Sequence, residues 1–131
     1  MGPICAFADV GREKIHGFFK KGAGYANLLA TKDFLVNNKI SEDRIYICNP
    51  TKTSLPEFKF SLAISTLSMG FHYPCDEYSQ FLISNKMQSS YLVFDKRKNE
   101  IDQGFDEITR FFTIENVIES NKSYRLFLSG R

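Results

Sequence analysis

The sequence predicts a single α/β domain over residues 1–131, with helices covering a mostly parallel sheet in three layers. Two observations predict this class. Short runs of β-branched and aromatic residues alternate along the chain with segments whose apolar residues recur at helical spacing. The chain has 131 residues, 43% hydrophobic and 24% charged, which is the size and composition of one globular domain. Strands that alternate with helices favour a parallel sheet with helices on its faces.

The first half of the chain predicts a strand, a helix and a second strand. The apolar run at residues 4–8 is typical of a buried strand. From Tyr25 to Asn38 the apolar residues begin with helical spacing, and two asparagines mark the end of this helix. Residues 44–48 are rich in β-branched and aromatic side chains, which predicts a strand that ends before Pro50.

The second half predicts the same alternation. Apolar residues at helical spacing predict three helices, at residues 56–70, at 76–86 and from Phe105 to Ile118. Short runs of aromatic and β-branched residues predict strands at 71–73, 91–94 and 124–128. The segment 95–99 is predicted as a charged turn.

Composition also bears on the compartment. No run approaches 18 apolar residues, which argues against a membrane-spanning helix and a membrane partner. The first residues lack the basic and apolar regions of a secretory signal. The three cysteines fit neither a disulfide framework nor a zinc site, so they predict reduced thiols. We therefore expect an intracellular protein, most simply a cytoplasmic one.

Carboxylates at two places suggest a metal site. Asp9 ends the first predicted strand, and Asp102, Asp106 and Glu107 surround Gly104 where the last helix begins. Mg²⁺ and Mn²⁺ take oxygen ligands, and a pair of such ions can clamp a phosphodiester. The alternative is that Asp102 and Asp106 cap the helix, where carboxylates meet free backbone N–H groups.

Three short motifs carry a resemblance: Ala8-Asp9 after the first strand, Gln103-Gly104-Phe105-Asp106 at the last helix, and the ending 127–131. In this order they resemble the NYN branch of the PIN-like ribonucleases. The resemblance implies a Rossmann-like or PIN-like three-layer fold and a Mg²⁺- or Mn²⁺-dependent ribonuclease with Asp9 and Asp106 as catalytic ligands. Arg131 stands where that family has the first acidic residue of its last motif. The alternative to an active nuclease is therefore an inactive relative that binds nucleic acid without cleaving it.

A basic aromatic segment supports binding of RNA or another nucleic acid. Phe18, Phe19, Lys20 and Lys21 combine rings on which bases stack with charges that meet phosphates. The predicted function is thus a small nucleic-acid-binding domain. The alternative is a non-enzymatic protein-interaction or regulatory module that uses the Phe18–Tyr25 surface. A thiol hydrolase based on His72 and Cys75 is a third interpretation, beside the simpler one of a structural cysteine.

Overall fold

The structure is a computed structural model that describes residues 4–7, 28–48 and 59–131. Its contacts divide the chain into two compact units, Met1–Pro56 and Glu57–Arg131. The single domain over residues 1–131 stays a prediction.

The first unit contains one pair of parallel strands. Strand β1 (Ile4–Phe7) pairs with β2 (Ile45–Cys48), and Ile4 lies opposite Ile45. Parallel strands need a long crossover connection, and helix α1 (Leu28–Asn37) lies within it. A short 3-10 turn, Glu42–Arg44, leads into β2. The predicted strand, helix and strand of this half are confirmed within a few residues.

The second unit is built on a four-stranded mixed sheet with the strand order β3-β4-β6-β5. The strands are β3 (Phe60–Ser65), β4 (Lys86–Arg97), β5 (Phe112–Glu119) and β6 (Ser123–Gly130). Helix α2 (Asp76–Asn85) connects β3 to β4, and helix α3 (Gln103–Phe111) directly precedes β5. Strands β3 and β4 are parallel, whereas β6 runs antiparallel to both β4 and β5.

One face of this sheet forms the core of the second unit. Alternate residues of a strand point to the same face. Leu92 lies opposite Leu128, and Phe94 lies opposite Leu126 across the β4–β6 pair. These four side chains are buried in one cluster with Leu82 of α2 and Ile108 of α3. Both helices of the second unit therefore cover the same face of the sheet. No helix in the described ranges has the length and apolar character needed to cross a bilayer.

The predicted mostly parallel, Rossmann-like or PIN-like sheet is wrong. In the four-stranded sheet only the β3–β4 pair is parallel. The main cause is the segment from Phe112 onward, which continues the helical apolar spacing but forms β5. Its side chains include Thr113, Ile114, Val117 and Ile118, and β-branched residues favour strands. With the β5–β6 hairpin, two of the three strand pairs in the sheet are antiparallel.

Other elements of the second half also differ from the prediction. The segment expected as a helix over 56–70 contains strand β3, and 71–73 form a turn next to an isolated bridge between Met69 and Tyr73. Residues 95–97, expected in a turn, extend β4. The helix at α2 and the strand at β6 are confirmed.

Candidate functional site

Several predicted site residues lie outside the described part of the chain. These are Asp9, Phe18, Phe19, Lys20 and Lys21, together with the rest of the Phe18–Tyr25 segment. The structure therefore describes the carboxylates near α3 without Asp9. The basic aromatic segment stays a prediction.

Asp102 caps helix α3 and ties it to helix α2. Its carboxylate accepts hydrogen bonds from the backbone N–H of Phe105, at 3.2 Å, and from the backbone N–H of Cys75, at 2.9 Å. Cys75 is the residue just before α2. The helix-capping interpretation of Asp102 is confirmed, and both of its carboxylate oxygens are engaged in packing the two helices.

Glu107 also contacts α2, whereas Asp106 is exposed. The Glu107 carboxylate accepts hydrogen bonds from Ser79 Oγ at 2.8 Å and from Gln80 Nε2 at 3.2 Å. Asp106 lies in the first turn of α3. Within the described residues, no group of three His, Cys, Asp or Glu side chains is placed to hold a metal ion. A Mg²⁺ or Mn²⁺ site that includes Asp9 stays a prediction.

A cleft of about 480 Å³ lies beside these residues. The residues that line it include Glu100, Asp102, Asp106, Lys96, Arg97, Phe105 and Tyr124. The buried Lys96 ammonium donates to the backbone carbonyl oxygens of Arg97, at 3.1 Å, and Glu100, at 2.8 Å. Charges of both signs thus line the cleft, and its electrostatics favour neither an anion nor a cation.

Cys75 is fully buried, and its surroundings disfavour the thiolate. Burial raises the pKa of the Cys75 thiol well above its usual range, and the neighbouring Asp102 carboxylate raises this pKa further. The His72 ring packs edge-on against Phe71, with ring centroids 4.8 Å apart. The thiolate is the nucleophilic form of cysteine. The geometry therefore gives no support to a Cys75 hydrolase.

The face of the four-stranded sheet opposite α2 and α3 exposes apolar side chains. Leu62 lies opposite Tyr91, Ile64 lies opposite Val93, and Val93 lies opposite Phe127. Leu62, Ile64 and Tyr91 are 54%, 64% and 58% exposed. We call this surface the open face. It consists of Leu62, Ile64, Tyr91, Val93, Phe127, Ile118 and the pair Asp95–Arg125.

The pair Asp95–Arg125 was not expected from the sequence. Arg125 donates from Nε to Asp95 Oδ1 at 2.8 Å and from Nη2 to Asp95 Oδ2 at 2.9 Å. The Arg125 guanidinium and the backbone N–H of Leu67 lower the pKa of Asp95, despite the burial of its carboxylate. One signal was present in the sequence: Asp95 directly follows the apolar run 91–94, so an extended β4 places it inside the sheet.

Comparisons of the chain with family models, with curated proteins and with solved structures find no match. The resemblance to PIN-like ribonucleases stays a prediction.

Proposed function

We propose that the unit Glu57–Arg131 is a protein-interaction module that binds its partner through the open face. The supporting observation is the exposure of Leu62, Ile64 and Tyr91 on adjoining positions of β3 and β4. Contiguous apolar surface with a polar rim is typical of sites where proteins bind each other. The Phe18–Tyr25 segment, which lies outside the described residues, is a second candidate contact within the same proposal.

The residue types and the charge of the chain agree with a protein partner. Tyr and Arg dominate the binding energy of protein interfaces, and the open face holds Tyr91 and Arg125 among aliphatic side chains. Nucleic-acid binding relies on cations that neutralise phosphates. The formal charge of this chain is only +2, from 17 Lys and Arg against 15 Asp and Glu.

RNA binding on the same face is the second candidate, and it has an observation of its own. Tyr91 and Phe127 lie on neighbouring strands of a four-stranded sheet, and Arg125 lies two residues from Phe127 on the same face. Tyr91 is exposed and Phe127 is half-buried. Single-stranded bases stack on exposed aromatic rings while cations meet the backbone. In this candidate, Lys20 and Lys21 add phosphate contacts.

Site-specific photo-crosslinking separates the two candidates. We would place p-benzoylphenylalanine at Tyr91 of the full chain in cells of the source organism, and at Phe111, an exposed ring on α3, as the control. A protein-interaction module gives protease-sensitive adducts from position 91 and none from 111. Adducts that ribonuclease removes would favour the RNA candidate. Cross-links confined to the chain itself would contradict both.

Two matched substitutions test whether formation of the position-91 adduct depends on the open face. Ile64→Asp places a charge on that face, whereas Val117→Asp places the same charge on an exposed β5 position that lies opposite Leu126, on the other face. The position-91 adduct is expected to disappear in Ile64→Asp and to persist in Val117→Asp. Equal loss in both variants would point to a general effect of charge.

Metal-dependent cleavage is an addition to the RNA candidate that requires its own test. Asp9 and Asp106 would hold Mg²⁺ or Mn²⁺, with Asp102 or Glu107 assisting. Titration of Mn²⁺ into the full chain, followed by NMR, would then broaden the amide signals of Asp102–Glu107, and Asp9→Asn would abolish the effect. Uniform broadening in both the wild type and Asp9→Asn would contradict the nuclease hypothesis.

A further inference from the structure

The strand register brings Arg97 and Arg125 together at one end of the open face. Across the antiparallel β4–β6 pair, Asp95 lies opposite Arg125, and Arg97 lies opposite Ser123. Arg97 and Arg125 are therefore diagonal neighbours on the same face of the sheet. Diagonal neighbours are about 7–8 Å apart, which is within reach of long side chains.

The Arg125 guanidinium is fixed in position and keeps unused hydrogen-bond donors. Nε and one N–H of Nη2 bind the Asp95 carboxylate, and a guanidinium carries five N–H donors in all. Within the described part of the chain, the remaining donors have no acceptor. The Arg125 side chain is 43% exposed, so these donors are accessible to a ligand.

The Arg97 guanidinium is also held in place, but by an aromatic ring. Its central carbon lies 4.4 Å from the centroid of the Phe71 ring. The one carboxylate near it among the described residues is Glu100, with Oε1 at 3.9 Å from Nε. The Nε atom is buried without a hydrogen-bond partner in this part of the chain, while 39% of the side chain is exposed. Among the described residues, the anionic partner recorded for Arg97 is this loose contact with Glu100.

A guanidinium presents paired N–H donors that match the two oxygens of a carboxylate, and Arg97 and Arg125 occupy diagonal positions on one face of the sheet. The exposed aliphatic side chain of Ile118 lies opposite Arg125, and Ile64 lies farther along the same face. We propose that Arg97 and Arg125 bind an acidic side chain of the partner, next to apolar side chains that cover the open face. This inference rests on the proposed protein-interaction function and names the chemistry of the partner: an acidic, aliphatic peptide segment.

Two synthetic peptides test the inference with the full chain. One is acetyl-Leu-Glu-Leu-Glu-Leu-amide, and the other replaces both Glu residues with Gln. We expect the Glu peptide to shift the Nε–H signals of Arg97 and Arg125 together with the amide signals of Ile64 and Tyr91. Equal affinity of the two peptides at the open face would overturn the carboxylate site but leave the proposed function intact. If neither peptide shifts signals of the open face, both proposals fail.

Matched arginine substitutions give a quantitative control. Arg97→Gln is compared with Arg110→Gln, because Arg110 is an exposed residue on α3, away from the open face. Loss of one charge-assisted hydrogen bond corresponds to about tenfold or more in affinity. We expect that loss for the Glu peptide in Arg97→Gln, no change in Arg110→Gln, and no change for the Gln peptide in either variant. Equal weakening by both substitutions would contradict a specific site.

A second variant and an RNA probe complete the test. Arg125→Lys keeps the charge beside Asp95 but lacks the planar fork, so it should weaken the Glu peptide while the chain stays folded by circular dichroism. A ten-nucleotide uridine RNA serves as the phosphate probe. If this RNA displaces the Glu peptide and shifts the same arginine signals more strongly, the pair binds phosphate, and the carboxylate assignment is wrong.

Discussion

Asp95 and Arg125 are direct cross-strand partners, and two hydrogen bonds of 2.8 and 2.9 Å join their side chains. The Asp95 carboxylate is only 2% exposed. It also accepts a hydrogen bond of 2.8 Å from the backbone N–H of Leu67. One carboxylate thus joins β4, β6 and the loop after β3. Leu67 has a φ of +53°, a conformation that costs a non-glycine residue about 1–2 kcal/mol. The Asp95 hydrogen bond helps to hold the loop in this conformation.

This arrangement predicts a loss of stability in acid. The folded state lowers the pKa of Asp95 below its unfolded value, so the unfolded chain binds the proton more readily. The stabilisation is fully present above the unfolded Asp pKa of about 3.9 and is lost as the pH falls toward the lower folded pKa. Urea unfolding of the wild type at several pH values below about 5 should show this loss.

Asp95→Asn is the control for the acid transition, and Asp95→Ala tests the hydrogen bonds. The Asn variant has no titrating group at this position, so its stability should depend less steeply on pH between about 4 and 2. The Ala variant leaves the Leu67 N–H without its acceptor, and we expect it to lose about 1–3 kcal/mol at neutral pH. A pH dependence identical in wild type and Asp95→Asn would contradict a role for this carboxylate.

Gly104 gives a prediction about how closely the two helices pack. A Cβ atom at Gly104 would overlap backbone atoms of Cys75 and Asp76, at the start of α2. Alanine favours helices over glycine by about 1 kcal/mol, but the overlap involves backbone that has no rotamer to change. We expect Gly104→Ala to destabilise the second unit by about 1–3 kcal/mol in urea unfolding.

Gly130→Ala is the matched control for this overlap. A Cβ atom at Gly130 would meet the hydroxyl oxygen of Ser90, which can rotate away, while the other neighbouring atoms lie 3.6 Å away. We therefore expect a smaller loss of stability than in Gly104→Ala. If Gly104→Ala is as stable as the wild type, the close approach of α2 and α3 is not the reason for glycine at position 104.

The sequence was sufficient for elements whose local pattern agrees with their tertiary environment. Helix α2 and strand β6 are examples, because the apolar side chains of each lie where its own periodicity places them. Strand β3 is the opposite case. Phe60, Ala63 and Ile64 match helical spacing, but pairing with β4 sets Ala63 on the core face and Ile64 on the open face. Only pairing with β4, which is distant in the sequence, decides that this segment forms a strand and not a helix.

The candidate site was also only partly predictable from the sequence, because its contacts join residues that are distant in the chain. Sequence reasoning selected Asp102 and Glu107 as acidic residues near a helix start, and both are important in the structure. Their partners, Cys75 and Ser79, are 27 and 28 residues away in the chain. Asp95 and Arg125 are 30 residues apart. A single sequence does not pair residues over such separations, so the roles in helix packing and at the open face required the fold.

Asp102 supports a prediction about the stability that comes from the two hydrogen bonds accepted by its carboxylate. Asn and Asp are about equally good N-cap residues, whereas replacement of such a cap by Ala costs about 0.5–2 kcal/mol. Asp102→Ala also removes the acceptor of the Cys75 N–H. Asp102 uses both carboxylate oxygens as acceptors, whereas Asn offers one acceptor oxygen, so Asp102→Asn keeps only one of the two hydrogen bonds. We expect Asp102→Asn to lose about 0.5–1.5 kcal/mol in urea unfolding, and Asp102→Ala, which loses both bonds, to lose about 1–3 kcal/mol. Equal losses in the two variants would mean that the hydrogen bond kept by Asn does not stabilise this position.

The reactivity of Cys75 depends on the same carboxylate. Burial and the Asp102 charge both raise the pKa of the thiol, so the folded protein holds it protonated and out of reach of reagents. In a Cys5→Ser, Cys48→Ser background, labelling of Cys75 by iodoacetamide at pH 8 should be slow and limited by opening of the structure. Urea that unfolds the chain should raise the rate by several orders of magnitude, to that of a free thiol with a pKa of about 8.5.

Asp102→Asn shows which of the two causes limits the labelling of Cys75. This variant removes the charge that raises the thiol pKa and keeps one of the two hydrogen bonds of Asp102, while Cys75 itself is fully buried. We therefore expect labelling of Asp102→Asn to stay slow, and to accelerate clearly only in Asp102→Ala, where the contact between α2 and α3 is weakened. Mass spectrometry of the alkylated protein against time measures the rates. Fast labelling of the folded Cys5→Ser, Cys48→Ser protein would show that the Cys75 thiol is accessible and ionised, which would restore Cys75 as a candidate nucleophile.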